Sequence, residues 1–515
     1  MTDDLLAHGP DGHPAPLGHS LDRRTVLRLG GGLVALGALA ACTPDESAPK
    51  PTATTPVPSP TATTDGAWEP PADPMAFPAG FLWGAATSAF QVEGSTKADG
   101  RGPSIWDTFA AQPGRIADGS TGDPAADHYR RWAADLDLMK ALGLRAYRFS
   151  VAWPRVQPTG SGKANPKGVD FYKRLVDGLL SRGIHPAITL YHWDLPQPLQ
   201  DAGGWPARDT AQRFADYAAI VYDALHDSGA TWLTINEPKT TASVGYGTSA
   251  HAPGADDVEQ YTAAVHHQLL AHGLAVQAFR ASGATGDIGI ALNLMPVYPT
   301  TDDAQPATRR VDAVENRLYL DPVLLGTYPD DAIGDLSGQI PASRAAFDKL
   351  VRPGDLPAIS APIDVLAVQY YGVSGVDSSG QYRQIAPVSL ASWQQVRPEG
   401  LHDLLTRITR DYPDAPPLII TENGIPDPDA RGTTADDQRL EFLRSHFQQA
   451  ARAIGDGVDL RQYYVWSLLD NFEWAEGYTQ RWGIVHVDFA TQRRTPKQSA
   501  QWYSGVIRAN AVAPA

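Results

Sequence analysis

The sequence predicts an α/β chain folded as a single (β/α)8 TIM barrel with long βα loops, preceded by a signal segment and a disordered Pro/Thr-rich tether. Three observations predict it. Apolar runs of strand length alternate with helix-period stretches throughout residues 75–515. Eight such strand-then-helix units occur with no second run of strands, which argues for a closed parallel barrel over an open doubly wound sheet. Several of the strands are apolar on successive residues, as required where both faces are buried.

Residues 1–42 read as an export signal. Arg23-Arg24 precede Thr25-Val26-Leu27-Arg28 and a weakly apolar run from Leu29 to Ala41, which resembles a twin-arginine signal. That run, interrupted by Gly30 to Gly32, is too short to cross a hydrocarbon core of ~30 Å as a helix. It ends in Leu39-Ala40-Ala41-Cys42, which resembles a bacterial lipobox whose cysteine receives a diacylglycerol. Cys42 is the only cysteine; the alternative is a free thiol beside an ordinary cleavage site. The expectation is an exported protein, lipid-anchored at the outer face of the bacterial cytoplasmic membrane. Residues 43–74 hold nine prolines and seven threonines. They carry too little apolar surface to offset ordering entropy and read as an extended tether.

Within residues 75–515 the strand candidates begin near Phe81 (FLWGAA), Ala146 (AYRFSVAW), Pro186 (PAITLYH), Trp232 (WLTINE), Ile288 (IGIALNL), Val365 (VLAVQYY), Leu418 (LIITEN) and Tyr463 (YYVWSLL). Helical spacing appears between them, as in Trp132, Leu136 and Met139, or Phe171, Leu175 and Leu179. Such a barrel needs about 250 residues, so the surplus implies long βα loops and a deep pocket.

Composition narrows the function. The chain has 42 basic and 58 acidic side chains, a net charge of −16, and no basic stretch that could follow a phosphate backbone, which excludes nucleic acid as an expected partner. A single cysteine rules out an intramolecular disulfide and any multi-cysteine metal centre. No GxGxxG or P-loop pattern follows a strand, so a nucleotide cofactor has no evident seat. Thirteen Trp and nineteen Tyr stand beside four Met. Aromatic faces suit the C–H faces of sugar rings, although buried Trp also simply fill cores.

Barrel chemistry sits at the C-terminal ends of strands, and two carboxylates fall there. Glu237 closes Trp232-Leu233-Thr234-Ile235-Asn236-Glu237-Pro238, and Glu422 closes Leu418-Ile419-Ile420-Thr421-Glu422-Asn423-Gly424. Two carboxylates facing one pocket suit glycosidic cleavage: one protonates the leaving oxygen while the other attacks the anomeric carbon or activates water.

From Phe77 through Phe81-Leu82-Trp83-Gly84-Ala85-Ala86-Thr87-Ser88 to Thr495-Pro496-Lys497, the chain resembles the family 1 glycoside hydrolases, the β-glucosidase family. Three motifs carry the likeness in family order: Thr234-Ile235-Asn236-Glu237-Pro238, Ile420-Thr421-Glu422-Asn423-Gly424, and Trp466-Ser467-Leu468-Leu469-Asp470-Asn471-Phe472-Glu473-Trp474. The resemblance implies hydrolysis of small β-glycosides or oligosaccharides with retention of configuration, without metal or organic cofactor. It implies Glu237 as general acid/base and Glu422 as nucleophile, with Arg148 and Tyr371 supporting the nucleophile. Gln369 departs from the Asn that the family usually carries before its tyrosines, which makes Tyr371 the looser match. The same resemblance assigns Gln91, His192, Asn236, Glu473 and Trp474 to the hydroxyls of the nonreducing-end sugar and Trp466 to its stacking platform. Trp193 is wall or core.

Glu473 would repel a 6-phosphate, so free sugars are expected, and Glu237 argues against the thioglucosidase branch, which has Gln there. On the leaving-group side Trp393 resembles the aglycone platform. Gln394, Arg397 and Lys239 depart from the family there, which implies either a polar or anionic leaving group or solvated rim charges. Two other readings remain at this level. One is a transglycosidase using the same intermediate; the other is a surface sugar-binding lipoprotein on an inactive scaffold, against which both intact carboxylates count.

Overall fold

The computed structural model describes residues 74–329, 344–427 and 434–514. The segment read as an export signal, the tether apart from Pro74, and Cys42 lie outside the described residues.

Eight parallel strands close a barrel: β1 (Leu82–Ala86), β2 (Ala146–Ser150), β3 (His185–Tyr191), β4 (Ala230–Asn236), β5 (Gly286–Asn293), β6 (Val365–Gln369), β7 (Leu418–Asn423) and β8 (Leu460–Trp466). Each pairs with its neighbours in sequence, and β8 pairs with β1 in the register Tyr463↔Trp83, Tyr464↔Gly84. Every expected strand is present, starting within three residues of the position read from the sequence. The longer helices, among them His128–Leu142, Pro166–Leu180, Val258–Ser282 and Asp437–Gly455, lie outside the barrel.

Alternation along β2 shows how the core divides. Tyr147 and Phe149 face the helices, with the Phe149 ring 6.4 Å from that of Tyr172 on Pro166–Leu180 and nearly parallel to it. Ala146 and Arg148 take the opposite face, inside the barrel. A separate cluster of Leu233, Ala291, Ala367 and Ile419 fills the interior under β4 to β7. It is made of small and branched side chains because the lumen is narrow.

The helix Val258–Ser282 starts where Asp257 Oδ1 accepts the backbone N–H groups of Glu259 at 2.8 Å and Gln260 at 3.0 Å. It stops at Gly283, whose φ of +72° takes the left-handed cap that a Cβ disfavours.

The two ends of the body meet. Met75–Ala76 pairs antiparallel with Ala511–Val512. Asn510 locks this pairing: its Oδ1 accepts Trp83 Nε1 at 2.9 Å, and its Nδ2 donates to the carbonyls of Phe77 at 2.9 Å and Pro78 at 3.1 Å.

Candidate active site

Both candidate carboxylates follow a break in strand register. β4 shifts against β5 between Leu233 and Asn236, and β7 shifts against β6 between Ile420 and Glu422. Ile419 lies in the barrel interior, so plain alternation would turn Glu422 towards the helices. The shift re-aims it into the mouth. Glu237 turns out of β4 with a φ of +48°, a left-handed conformation that costs a non-glycine residue roughly 1 kcal/mol or more. Trp193 (φ +76°) and Trp474 (φ +50°) share that conformation. Gly424 follows the second carboxylate closely; a Cβ there would lie 1.9 Å from the Trp466 carbonyl oxygen.

The two carboxyl groups line one cavity of about 300 Å³ at the C-terminal mouth. Their surroundings differ. Glu422 is ion-paired with Nη1 of fully buried Arg148 and accepts the Tyr371 hydroxyl at 2.7 Å. Burial pushes its carboxyl above the ordinary value, while Arg148 and Tyr371 pull against that push. Glu237 accepts Thr240 Oγ1 at 2.6 Å and Asn293 Nδ2 at 3.3 Å, neither of them charged. Burial first, and then the charge of Glu422, push Glu237 up to about 7. The pair is thus arranged for one ionised and one protonated member near neutrality.

Arg148 organises more than the nucleophile. Its Nε donates to Thr189 Oγ1 at 3.0 Å, and its Nη2 donates to Asn236 Oδ1 at 2.5 Å. Asn236 Oδ1 also accepts Gln369 Nε2 at 2.7 Å, and Asn236 Nδ2 donates to His192 Nε2 at 3.1 Å. Burial and the nearby Arg148 hold His192 well below its ordinary pKa. The neutral ring therefore carries its proton on Nδ1, which has no protein partner.

Of the sugar-holding candidates, His192, Trp193, Trp466, Glu473 and Trp474 line the cavity with Tyr371 and Trp393. His192 lies nearly parallel to both Trp466 (19°) and Trp474 (18°). Gln91 and Asn236 are fully buried just behind this wall. Gln91 Nε2 donates to Asn471 Oδ1 at 3.0 Å and Glu473 Oε2 at 3.2 Å. Burial and the charges of Glu422 and Glu476 push the Glu473 carboxyl well above its ordinary range.

Three departures read from the sequence resolve differently from the leaving-group alternative stated for them. Gln394 is fully buried and braces loops, donating to the carbonyls of Tyr371 at 3.0 Å and Gly424 at 2.8 Å. The Arg397 guanidinium lies over the Tyr298 ring, 4.5 Å from its centroid, and is not part of the cavity wall. Lys239 does line the cavity, but its ammonium is paired with Glu315 at 2.9 Å.

Sequence reasoning missed Thr240, Asn293, Gln369 as a partner of Asn236, and Trp482, which stacks on Trp393 with centroids 6.2 Å apart. Asn293 had a signal, since it ends β5 as Glu237 follows β4; the others depend on loop paths. Among the described residues no group of three or more His, Cys, Asp or Glu is placed to hold a metal ion.

Comparison with known proteins gives the same outline. The family described as glycosyl hydrolase family 1 matches residues 74–512. Thermostable beta-glucosidase B of Thermobispora bispora is 48% identical over 449 residues, covering 85% of this chain and 91% of that protein. A bifunctional beta-D-glucosidase/beta-D-fucosidase of Bifidobacterium breve is 43% identical, with 84% and 98% covered. A solved Thermotoga maritima beta-glucosidase, in complex with a substituted glucoimidazole, superposes with a TM-score of 0.80 at 40% identity, covering 85% of this chain and 100% of that one.

Proposed function

The chain belongs to glycosyl hydrolase family 1, and from that membership we propose that it is a retaining β-glycosidase, first of all a β-glucosidase, acting on nonreducing-end β-D-glycosyl residues. The observation that carries this reading is the contrast between two carboxyls facing one cavity: Glu422 held by Arg148 and Tyr371, and Glu237 pushed up to about 7.

The Glu422 carboxylate attacks the anomeric carbon while Glu237 gives its proton to the glycosidic oxygen, and the aglycone leaves as an alcohol. Glu422 is then a neutral ester. The negative charge that raised Glu237 has gone, so the Glu237 carboxylate, now ionised, can take a proton from water. That water attacks the anomeric carbon, breaks the ester bond and restores both carboxyls. His192 Nδ1–H supplies a donor and Glu473 an acceptor to sugar hydroxyls, and Trp466 gives the ring a platform. Asn236 acts beside the 2-hydroxyl, where bonds strengthen in the oxocarbenium-like transition state.

The test is Glu422→Ala with added azide. Activity should fall to almost nothing and turnover should return with azide as an α-glycosyl azide; unchanged activity without azide would end the proposal. A set of aryl glycosides differing at C4 and C6 ranks glucoside, galactoside and fucoside.

The exported, lipid-anchored form is part of the same proposal and rests on Arg23-Arg24 and the placement of Cys42. Arg23→Lys with Arg24→Lys should strand the protein in the cytoplasm, and Cys42→Ser should release it from membranes.

A further inference from the structure

Lys497 ends the stretch Thr495-Pro496-Lys497 and does not line the active cavity, yet its side chain is fully buried. Its ammonium lies between two loops of the mouth. Nζ is 3.0 Å from Oδ1 of Asp470, in the loop after β8, and 3.7 Å from Oδ2 of Asp427, in the loop after β7. Asp470 stands three residues before Glu473, and Asp427 five residues after Glu422. One buried cation thus joins the segment that carries the nucleophile to the segment that carries the sugar-holding carboxyl.

Asp470 is fully buried as well, and each of its oxygens has a charged partner and a backbone partner. Oδ1 accepts Lys497 Nζ and the N–H of Gly483 at 3.1 Å. Oδ2 accepts Arg481 Nη1 at 2.9 Å and the N–H of Val487 at 3.4 Å. A second tie runs beside the first. Asp427 donates its backbone N–H to the Arg481 carbonyl at 2.8 Å, and the same oxygen accepts Nη2 of buried Arg439 at 2.7 Å. The packing leaves no slack, since a Cβ at Gly483 would lie 2.0 Å from the Asp470 nitrogen.

Taking an ammonium and a carboxylate out of water is costly, and well-packed apolar side chains of similar volume often serve stability as well. What the ions add is a fixed meeting point. Four donors aimed at two oxygens define where the Asp470 carboxyl sits, and the loop that bears it follows.

We propose that Asp470 and Lys497 are positioning residues, which hold the Glu473 loop at the spacing from Glu422 that the two ends of one sugar require. The proposal rests on the β-glycosidase reading above. p-Nitrophenyl β-D-glucoside and β-D-xyloside test it, because they share a leaving group and differ in the C6 hydroxymethyl group, on the side of the sugar assigned to Glu473. In Lys497→Met the glucoside-to-xyloside ratio of kcat/KM should fall by roughly five- to tenfold, as one misplaced hydrogen bond to the sugar would give. Its Tm should fall too, because Asp470 keeps a buried charge. Adding Asp470→Asn removes that charge, so the double variant should regain Tm while the ratio stays low. Arg481→Gln, at the partly exposed edge of the cluster, should move the ratio the same way by about twofold or more. If Lys497→Met does not fold, the double variant and Arg481→Gln carry the same test. A pair with a merely structural role would lower Tm and leave the ratio alone. A ratio unmoved in Arg481→Gln and in the folded lysine variants, or one that returns together with Tm in the double variant, would overturn the proposal while wild-type turnover left the enzyme reading intact. Absence of wild-type turnover on both glycosides would end that reading and this proposal with it.

Discussion

Gln369 donates its side-chain amide to Asn236 Oδ1 at 2.7 Å, on the same oxygen that accepts Arg148 at 2.5 Å. Two donors on one carbonyl oxygen fix which way the Asn236 amide faces, and with it the nitrogen that meets His192. Gln369→Leu removes one of them. Its kcat/KM should fall by roughly five- to tenfold, the worth of one buried hydrogen bond. The loss should be smaller on a 2-deoxyglucoside than on the parent glucoside, and equal losses on both would deny Gln369 this positioning role.

Activity should depend on pH through the pair of carboxyls. Glu237 must be protonated in the free enzyme, so kcat/KM should decline as pH rises through about 7. Glu422 must be ionised, and its raised value places the acid limb above the ordinary carboxylate range. The two apparent values belong to the pair. Tyr371→Phe removes a bond that favours the charged form of Glu422, so a kcat/KM profile should show the acid limb moved to higher pH.

Stability should record the same carboxyl with a definite sign. The folded protein holds the Glu237 proton more tightly than the unfolded chain, so this group's contribution is intact below its ordinary value and is lost as pH rises through about 7. Glu237→Gln abolishes the effect. Thermal melts should show the variant gaining on the wild type between pH 4 and pH 8; a constant difference would mean that Glu237 is not raised.

At the opposite face, Asn510 makes hydrogen bonds to Trp83, Phe77 and Pro78. Asn510→Ala removes all of them and should cost about 2–3 kcal/mol in chemical denaturation. Activity at room temperature should be nearly unaffected, because these bonds lie far from the mouth.

Much of this was legible in the residues. The strands were readable because burial on both faces leaves continuous apolar runs, and Glu237 and Glu422 because each ends such a run before a turn. Tyr371 meets Glu422 despite the longer side chain of Gln369, which bends to Asn236. Side-chain direction was not legible. The register shifts that aim Glu237 and Glu422 leave no trace in apolar alternation. Arg397 and Lys239 read as charges near a subsite, yet their partners, Tyr298 and Glu315, come from distant segments that only the folded chain brings together.

The antiparallel pairing of Met75–Ala76 with Ala511–Val512 fixes where the leading end of the body lies relative to the mouth. Pro74 joins the body beside the start of β1, and the mouth opens where the strands finish. Anything attached through Pro74 is attached at the rear of the barrel, away from the entrance. A carrier protein, bead or surface joined ahead of residue 74 should therefore leave the route for substrate unobstructed.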